Sequence, residues 1–407
     1  MEWIVFGNEN AVMDPLLKDC YVEPKEGSNK SILIGRWGIG KSAILFHNNQ
    51  KLSDELAKKD EKDRFLWYIG ENSLDLASLR GLQSKFNTDQ EGFKRTLETF
   101  WKTKIICTEA VLLYKLRECY GSNATGEHWD FIAKFGKAKR TFFPVWRQIP
   151  DIIGMFVGTD KGRVGAFKNV QDVLEKHIHN KALDYIQACL RDIKDYELQP
   201  AVVIEPIDTP NSGLGKEGGL AQTVITALLN VHYTTFSPSQ DQLIQLRVSI
   251  PWHRFRPEYL DYPQRFFSNL GYIKWNSESL RHFINRRIEW EFKRVGRSFR
   301  RDVDVWPMLF TENVTNDHCE PKIFENSFLY FLRHTHYRPR DLQCLARRAV
   351  EKYASVSGVT VDKVLLGREG KIPGSTIRET LRESCPLLME FSFMPEVKRK
   401  YSSVVTI

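Results

Sequence analysis

Residues 31–42 of the 407-residue chain read SILIGRWGIGKS. The short apolar run that ends at Gly35 predicts a buried strand, and a helix is predicted from Lys41 to Asn49. The eight residues from Gly35 to Ser42 match the pattern G-x-x-x-x-G-K-[ST]. A strand before this pattern and a helix after it are the context in which it forms a phosphate-binding loop.

The residue types of this loop suit a bound polyphosphate. Glycines let the backbone wrap closely, so that N–H groups point inward at phosphate oxygens. The N-terminus of the following helix adds its positive end. Lys41 supplies a point charge for the β- and γ-phosphates, and the Ser42 hydroxyl is a ligand for magnesium. We therefore expect ATP and Mg²⁺ to bind through Gly35, Arg36, Trp37, Gly38, Ile39, Gly40, Lys41, Ser42 and Ala43.

An acidic partner for the loop is predicted much later in the chain. Residues 201–205, AVVIE, are a β-branched run that predicts a second buried strand. Glu205 ends this run, where a carboxylate would complete the magnesium shell, and Asp208 is placed to orient an attacking water. The alternative is that both acids are simply solvated, one at a strand end and one in a turn.

Together with further apolar runs, these segments predict an α/β fold. Strands are expected near residues 31–35, 65–69, 201–205, 246–250 and 271–275. We expect a three-layer P-loop NTPase core over residues 1–275, with a parallel sheet and a large helical insertion at about 73–199. Asn276 is a suitable N-cap, so residues 276–407 are predicted to form a C-terminal helical lid domain.

Composition limits the class of protein. The chain is 42% hydrophobic and 27% charged, which is ordinary for a globular protein. It has no long uncharged apolar run and no basic segment at its start, so we expect a cytoplasmic protein with no membrane span. The seven cysteines are odd in number and scattered, which indicates reduced thiols rather than a disulfide framework.

The formal net charge is +8, and basic residues crowd two segments. Basic and aromatic side chains together can hold a nucleic-acid backbone and stack bases. The alternatives are a solvated face or an interface with an acidic protein. One group is Lys134, Lys137, Lys139, Arg140 and Arg147, and the other is Arg281, Arg286, Arg287, Lys293, Arg294, Arg297, Arg300 and Arg301.

Four stretches resemble the signal-transducing P-loop ATPases of the STAND and AAA-related class, particularly stand-alone bacterial members linked to defence. Residues 6–11 resemble the segment that precedes the loop in that class. Residues 35–42 resemble its P-loop, and residues 202–208 its second acidic motif. The C-terminal stretches 275–288 and 338–341 resemble its helical lid.

The resemblance implies an ATP-dependent molecular switch that can form a homo-oligomer and that engages a protein partner or a separate effector, as in antiphage defence. His253 or Arg254, after the strand at 246–250, would sense the γ-phosphate, and Arg340 would reach the nucleotide from the lid. The alternatives are a basic surface turn for the first two and a solvated helix arginine for the third. Pro206 stands where an AAA enzyme has glutamate, which favours slow hydrolysis. The other function left open is an ATP-regulated DNA-binding protein similar to origin-recognition ATPases.

Overall fold

The fold is α/β, with a five-stranded parallel sheet and helices between its strands in sequence. The computed structural model describes residues 4–70, 76–86, 89–120, 126–137, 175, 179–193, 201–205, 218–237, 243–260, 263–300, 303–316, 322–390 and 394. The strands of the sheet are β1 (Ile32–Gly35), β2 (Tyr68–Gly70), β3 (Ala201–Glu205), β4 (Gln245–Pro251) and β5 (Leu270–Tyr272).

The sheet has the strand order β2-β3-β4-β1-β5. The chain therefore leaves β1 toward one side of the sheet, returns through β3 and β4, and crosses to the other side for β5. In open α/β sheets, a crevice forms at the carboxyl ends of the strands, beside the strand from which the connections run in opposite directions. The strand at this position is β1, whose four residues are all buried.

All five predicted strands are present, four of them with shifted ends. Strand β3 has the predicted limits, in keeping with the prolines that stand on both sides of residues 201–205 in the sequence. Strand β2 begins at Tyr68 instead of at Phe65, because Phe65 to Trp67 form a turn in which the Tyr68 N–H donates to the Phe65 carbonyl at 3.0 Å. Strand β5 ends at Tyr272, and the chain then runs to the cap of the next long helix.

The helices were predicted less completely than the strands. Asn276 is the N-cap expected from the sequence, and it forms a capping box in which its side chain accepts from the Ser279 N–H at 2.8 Å. The helices are α1 (Leu17–Cys20), α2 (Lys41–Asn48), α3 (Gln50–Ala57), α4 (Leu76–Phe86), α5 (Gln90–Tyr120), α6 (Glu127–Lys137), α7 (Asn180–Asp192), α8 (Gly218–Thr235), α9 (Ser277–Arg294), α10 (Trp306–Leu309), α11 (Ser327–Arg333), α12 (Pro339–Val356), α13 (Val361–Leu366) and α14 (Gly374–Leu388).

A β-hairpin in the C-terminal part was not predicted. Strands β6 (Asn313–Asn316) and β7 (Ile323–Asn326) pair antiparallel, with Asn313 opposite Asn326. Helix α11 begins directly after this hairpin at Ser327, where the Asn326 side chain accepts from two N–H groups of the first turn. Four-residue strands are too short to show a period of two, which explains why the sequence did not reveal them.

The chain divides into two compact units. Unit 1 consists of residues 1–29, 33–47 and 271–407, and unit 2 of residues 30–32 and 48–270. The division at residue 275 that the sequence suggested stays a prediction. The segment that follows β1, which includes residues 36–42, belongs to the same unit as the C-terminal helices. Any functional pairing of that segment with the C-terminal helices is therefore internal to unit 1.

Unit 1 has a continuous apolar core. Helices α9, α11 and α12 supply most of it, and Phe6 near the start of the chain is also fully buried in it. Trp306 lies at its centre, stacked on Phe310, with its indole N–H donating to the Ser327 hydroxyl at 3.0 Å. The residues before β1 are thus anchored in the C-terminal core.

Unit 2 contains the helices of the predicted insertion. The described residues between 73 and 199 contribute α4, α5, α6 and α7, and α5 alone runs for 31 residues. None of the helices in the described ranges is both long and apolar enough to cross a bilayer. The six cysteines in those ranges are free thiols, as predicted, and Cys319 lies outside them.

Candidate functional site

The loop between β1 and α2 has the backbone shape that its glycines allow. Gly38 and Gly40 have φ angles of +72° and +100°, in the left-handed region that residues with a Cβ atom rarely adopt. Helix α2 begins at Lys41, directly at the end of the loop. Ser42 and Ala43 follow in its first turn, and both are half-buried. The strand, loop and helix predicted around residues 35–42 are therefore all present.

Lys41 is folded back over the start of the loop. Its side chain is buried, and its ammonium group donates to the carbonyls of Gly35 at 3.1 Å and Arg36 at 3.2 Å. These contacts hold the positive charge beside the loop backbone rather than in bulk water. A lysine in this position can move a short distance to a phosphate oxygen without leaving the loop.

Two residues from the C-terminal part of unit 1 lie against the loop. The Arg340 N–H donates to the Gly38 carbonyl at 3.4 Å, and a Cβ added to Gly38 would come within 3.1 Å of the Arg340 Cβ. The Trp275 indole N–H donates to the Ile39 carbonyl at 2.8 Å. The Arg340 side chain is solvent-exposed, as the alternative proposed, yet its backbone contacts the loop. Trp275 was not predicted as a site residue.

Positive charge accumulates around the loop. Burial lowers the pKa of His336, and the charges of Arg338 and Arg36 lower it further. Arg338 itself is fully buried, and its guanidinium lies 3.9 Å from the Asp341 carboxylate. Arg36 in the loop and Arg338 just before α12 therefore both act on His336, although the Arg338 charge is balanced by Asp341.

The backbone just before α12 is strained. His336 and Tyr337 have φ angles of +47° and +56°, which non-glycine residues rarely adopt. Such conformations cost about 1–3 kcal/mol each and concentrate at functional sites. The strained pair directly precedes Arg338 and ends three residues before Arg340, so it sets the direction in which α12 starts.

The lead-in segment, residues 6–11, is fixed by α9 and α12. The Phe6 N–H donates to the Glu291 carboxylate at 2.8 Å, and the Phe6 carbonyl accepts from Arg287. The Gln343 side-chain amide donates to the carbonyls of Phe6 at 3.0 Å and Gly7 at 2.9 Å. Helices α9 and α12 therefore both hold the lead-in segment. The loop is contacted by Arg340, near the start of α12, and by Trp275, the residue before the N-cap of α9.

Glu205 lies in unit 2 and is buried at the end of β3. Its carboxylate accepts a hydrogen bond at 3.0 Å from the hydroxyl of Tyr68 on the neighbouring strand. The alternative of a solvated acid is therefore wrong for Glu205, although its pairing with Lys41 stays a prediction. Asp208 lies outside the described residues.

His253 and Arg254 follow β4 in unit 2. Both are buried, and the Arg254 N–H closes a turn on the Pro251 carbonyl at 2.9 Å. The alternative of an exposed basic turn is therefore wrong for both residues. Their predicted contact with a γ-phosphate stays a prediction.

The basic residues of α9 are largely engaged within the chain. Arg287 is paired with Asp14 at 2.6 Å, and both side chains are buried. Arg281 makes two hydrogen bonds to Asp304, and Arg294 contacts both Glu291 and Asp362. Arg297, which lies just after α9, donates to two backbone carbonyls. The other basic group lies outside the residues that the structure describes. This holds for the side chains of Lys134 and Lys137, and for Lys139, Arg140 and Arg147 as a whole.

These engagements explain most of the α9 charge without a nucleic acid. Among the described residues, no group of three or more His, Cys, Asp or Glu side chains has the arrangement of a metal site. A magnesium ion at the loop would instead rely on a hydroxyl, a carboxylate and the phosphates themselves, which is the usual arrangement for this ion. Comparison with known proteins finds no matching family model, no matching characterised protein and no matching solved structure.

Proposed function

We propose that the chain binds ATP with Mg²⁺ at residues 35–42 and acts as a nucleotide-dependent switch. The observation that carries this proposal is the contact of Arg340 and Trp275 with the loop at Gly38 and Ile39. Trp275 stands 236 positions from Ile39 in sequence, and Arg340 stands still farther from Gly38. Both residues meet the loop where phosphates would lie. A segment that served only to connect β1 to α2 would need no such neighbours.

The chemistry of the described residues suits a triphosphate. Left-handed glycines at 38 and 40 leave the loop backbone free to present N–H groups, and the first turn of α2 adds its positive end. Lys41 and Arg340 would neutralise phosphate charge at either side of the loop. The charges of Arg36 and Arg338 add to the local potential.

A magnesium ion fits the oxygen donors that the chain offers. The Ser42 hydroxyl and the Glu205 carboxylate are the ligands we propose, because hard cations prefer oxygen. The ion would supply neutralisation of the phosphate charge. Tyr68 would hold the Glu205 carboxylate in one orientation.

The switch follows from a difference in contacts. A ligand shifts an equilibrium between two conformations only as far as its affinity differs between them. An exposed Arg340 side chain at the loop offers such a difference, because it can bind phosphate in one position of α12 and lose it in another. The strained turn at His336 and Tyr337 is the hinge we assign to that change.

Calorimetric titration with ATP and Mg²⁺ tests the proposal. We expect one site per chain in the native protein and no detectable binding after Lys41→Ala, because the alanine removes the charge at the loop. Lys363→Ala, which removes an exposed lysine from α13, is the matched control and should bind like the native protein. Equal affinity in Lys41→Ala and the native chain would refute the site.

The switch itself is tested by size and turnover. Light scattering with and without ATP should show a nucleotide-dependent change in assembly, or a complex when a partner is supplied. Phosphate release should be slow relative to binding, as Pro206 suggests. Fast release with no change in size or conformation would indicate an ordinary ATPase rather than a switch.

A further inference from the structure

The Ile39 carbonyl is held by an indole rather than by the loop. Ile39 is buried, so an unpaired carbonyl there would carry a desolvation cost. The Trp275 Nε1–H supplies the hydrogen bond at 2.8 Å. The same ring lies beside the next residue, because a Cβ on Gly40 would come 3.9 Å from the Trp275 Cζ2 atom. The indole therefore covers the Ile39–Gly40 peptide.

The hydrogen bond to the Ile39 carbonyl also fixes the direction of the next N–H group, that of Gly40. A trans peptide is planar, and its C=O and N–H point in opposite directions. The Ile39 carbonyl points toward Trp275, so the Gly40 N–H points away from it. The preceding carbonyl, that of Gly38, accepts from the Arg340 N–H in the same way. Two consecutive carbonyls of the loop are thus held from outside.

Trp275 is itself firmly placed. It directly precedes Asn276, whose capping box fixes the start of α9. Its ring meets Phe283 edge-on, with centroids 5.9 Å apart, and Phe283 also carries the Arg287 guanidinium at 4.9 Å from its ring. The indole is therefore a rigid support rather than a mobile surface side chain.

We propose that Trp275 is a positioning residue that orients the Ile39–Gly40 peptide, so that the Gly40 N–H faces the anion side of the loop. The role in ligand binding rests on the proposed function, whereas the anchoring of the peptide does not. An indole N–H on an outer carbonyl preorganises the loop, so that less ordering is left for the moment of binding.

Trp275→Phe is the informative variant, because phenylalanine keeps an aromatic ring against Phe283 and removes only the donor. Without nucleotide, amide hydrogen exchange in residues 36–42 should be about fivefold faster than in the native chain, as expected for the loss of one hydrogen bond. The dissociation constant for ATP with Mg²⁺ should rise by about fivefold. Far-ultraviolet circular dichroism checks that the variant is folded.

Trp290→Phe is the matched control. It removes an indole N–H from α9 that contacts Asp19 at 3.4 Å instead of the loop. Its exchange rates in residues 36–42 and its ATP affinity should match those of the native chain. If Trp275→Phe left loop exchange unchanged, or if both variants accelerated it equally, the anchoring role would be overturned. Faster exchange in Trp275→Phe alone, with no ATP binding even by the native chain, would support the anchor and refute the proposed nucleotide site.

Discussion

Unit 1 contains two groups of arginines that look alike in sequence and differ in their surroundings. Those on α9 face partners inside the chain: Arg287 meets Asp14 and the Phe6 carbonyl, and Arg281 meets Asp304. At the loop, the exposed Arg340 side chain lies beside Gly38, and the charge of Arg36 lowers the pKa of His336. The first group stabilises the fold, whereas we propose that the second attracts an anion.

The difference shows why a count of basic residues is a poor guide to function. A guanidinium that already satisfies a carboxylate has little affinity left for a phosphate. One that lies among like charges gains by meeting an anion. The distinction depends on partners far away in sequence, such as Asp14 for Arg287. Each of the following variants asks whether one group can be disturbed without affecting the other.

The largest effect is expected from Arg287→Ala. It leaves the buried Asp14 carboxylate without its partner and removes a donor from the Phe6 carbonyl, which should lower the free energy of unfolding by about 3 kcal/mol. Urea denaturation followed by circular dichroism measures this loss. Arg286→Ala, an exposed neighbour on the same helix, should cost about 0.5 kcal/mol or less. Equal losses in the two variants would contradict a structural role for the buried pair.

Arg340→Ala should show the opposite pattern. Because its side chain is exposed, the free energy of unfolding should change by about 0.5 kcal/mol or less. The affinity for ATP with Mg²⁺ should fall by about tenfold, the effect of losing one charge-assisted contact to phosphate. Calorimetry measures the affinity, with Arg368→Ala as an exposed control on another part of unit 1. A stability loss without an affinity change would place Arg340 in the structural group.

A smaller and pH-dependent effect is expected for the Arg281–Asp304 pair. Burial alone raises the pKa of Asp304, but hydrogen bonds from Arg281 and Asn285 outweigh it, and the net pKa lies below the usual 3.8. A lowered carboxylate pKa stabilises the fold above pH 3.8, and this contribution is lost as pH falls through the folded pKa. Asp304→Asn should therefore reduce the free energy of unfolding by about 0.5 kcal/mol near neutral pH. The difference from the native chain should vanish in acid, and a difference that grew as pH fell would have the wrong sign.

The smallest effect is expected on nucleic-acid binding. If the α9 arginines are structural, replacing Arg281 and Arg294 with glutamine should leave any affinity for duplex DNA and its dependence on salt unchanged. Each lost phosphate contact would otherwise lower the salt slope by about one. Fluorescence anisotropy at several salt concentrations measures this slope. A shallower slope in the double variant would revive the alternative of a DNA-binding ATPase.

The sequence was most informative where the signal is local. The loop glycines, the β3 run and the Asn276 cap each depend on a few adjacent residues, and the structure has all three. Strand ends were less predictable, because turns such as the one at Phe65 compete with the apolar run. The β6–β7 hairpin was missed because its strands are too short to carry a pattern.

The contacts around the candidate site were out of reach for a different reason. Trp275 on Ile39 and Gln343 on Phe6 join residues hundreds of positions apart. Nothing in the residues adjacent to Trp275 distinguishes an indole that caps a loop carbonyl from one that fills a core. The sequence indicated only where Trp275 lies, because Trp275 immediately precedes the strong N-cap Asn276. It did not indicate what the indole contacts. The Tyr68 hydroxyl on Glu205 is a similar case, visible only once β2 and β3 are known to pair.

The most direct test of the proposed site is a crystal structure with Mg²⁺ and a non-hydrolysable ATP analogue. We predict phosphate oxygens within hydrogen-bonding distance of the Gly40 N–H and the Lys41 ammonium, and the metal bound by the Ser42 hydroxyl. We also predict the Glu205 carboxylate in the metal's coordination shell or one water away from it. A nucleotide bound elsewhere, or a loop that stays empty at saturating analogue, would contradict the proposal.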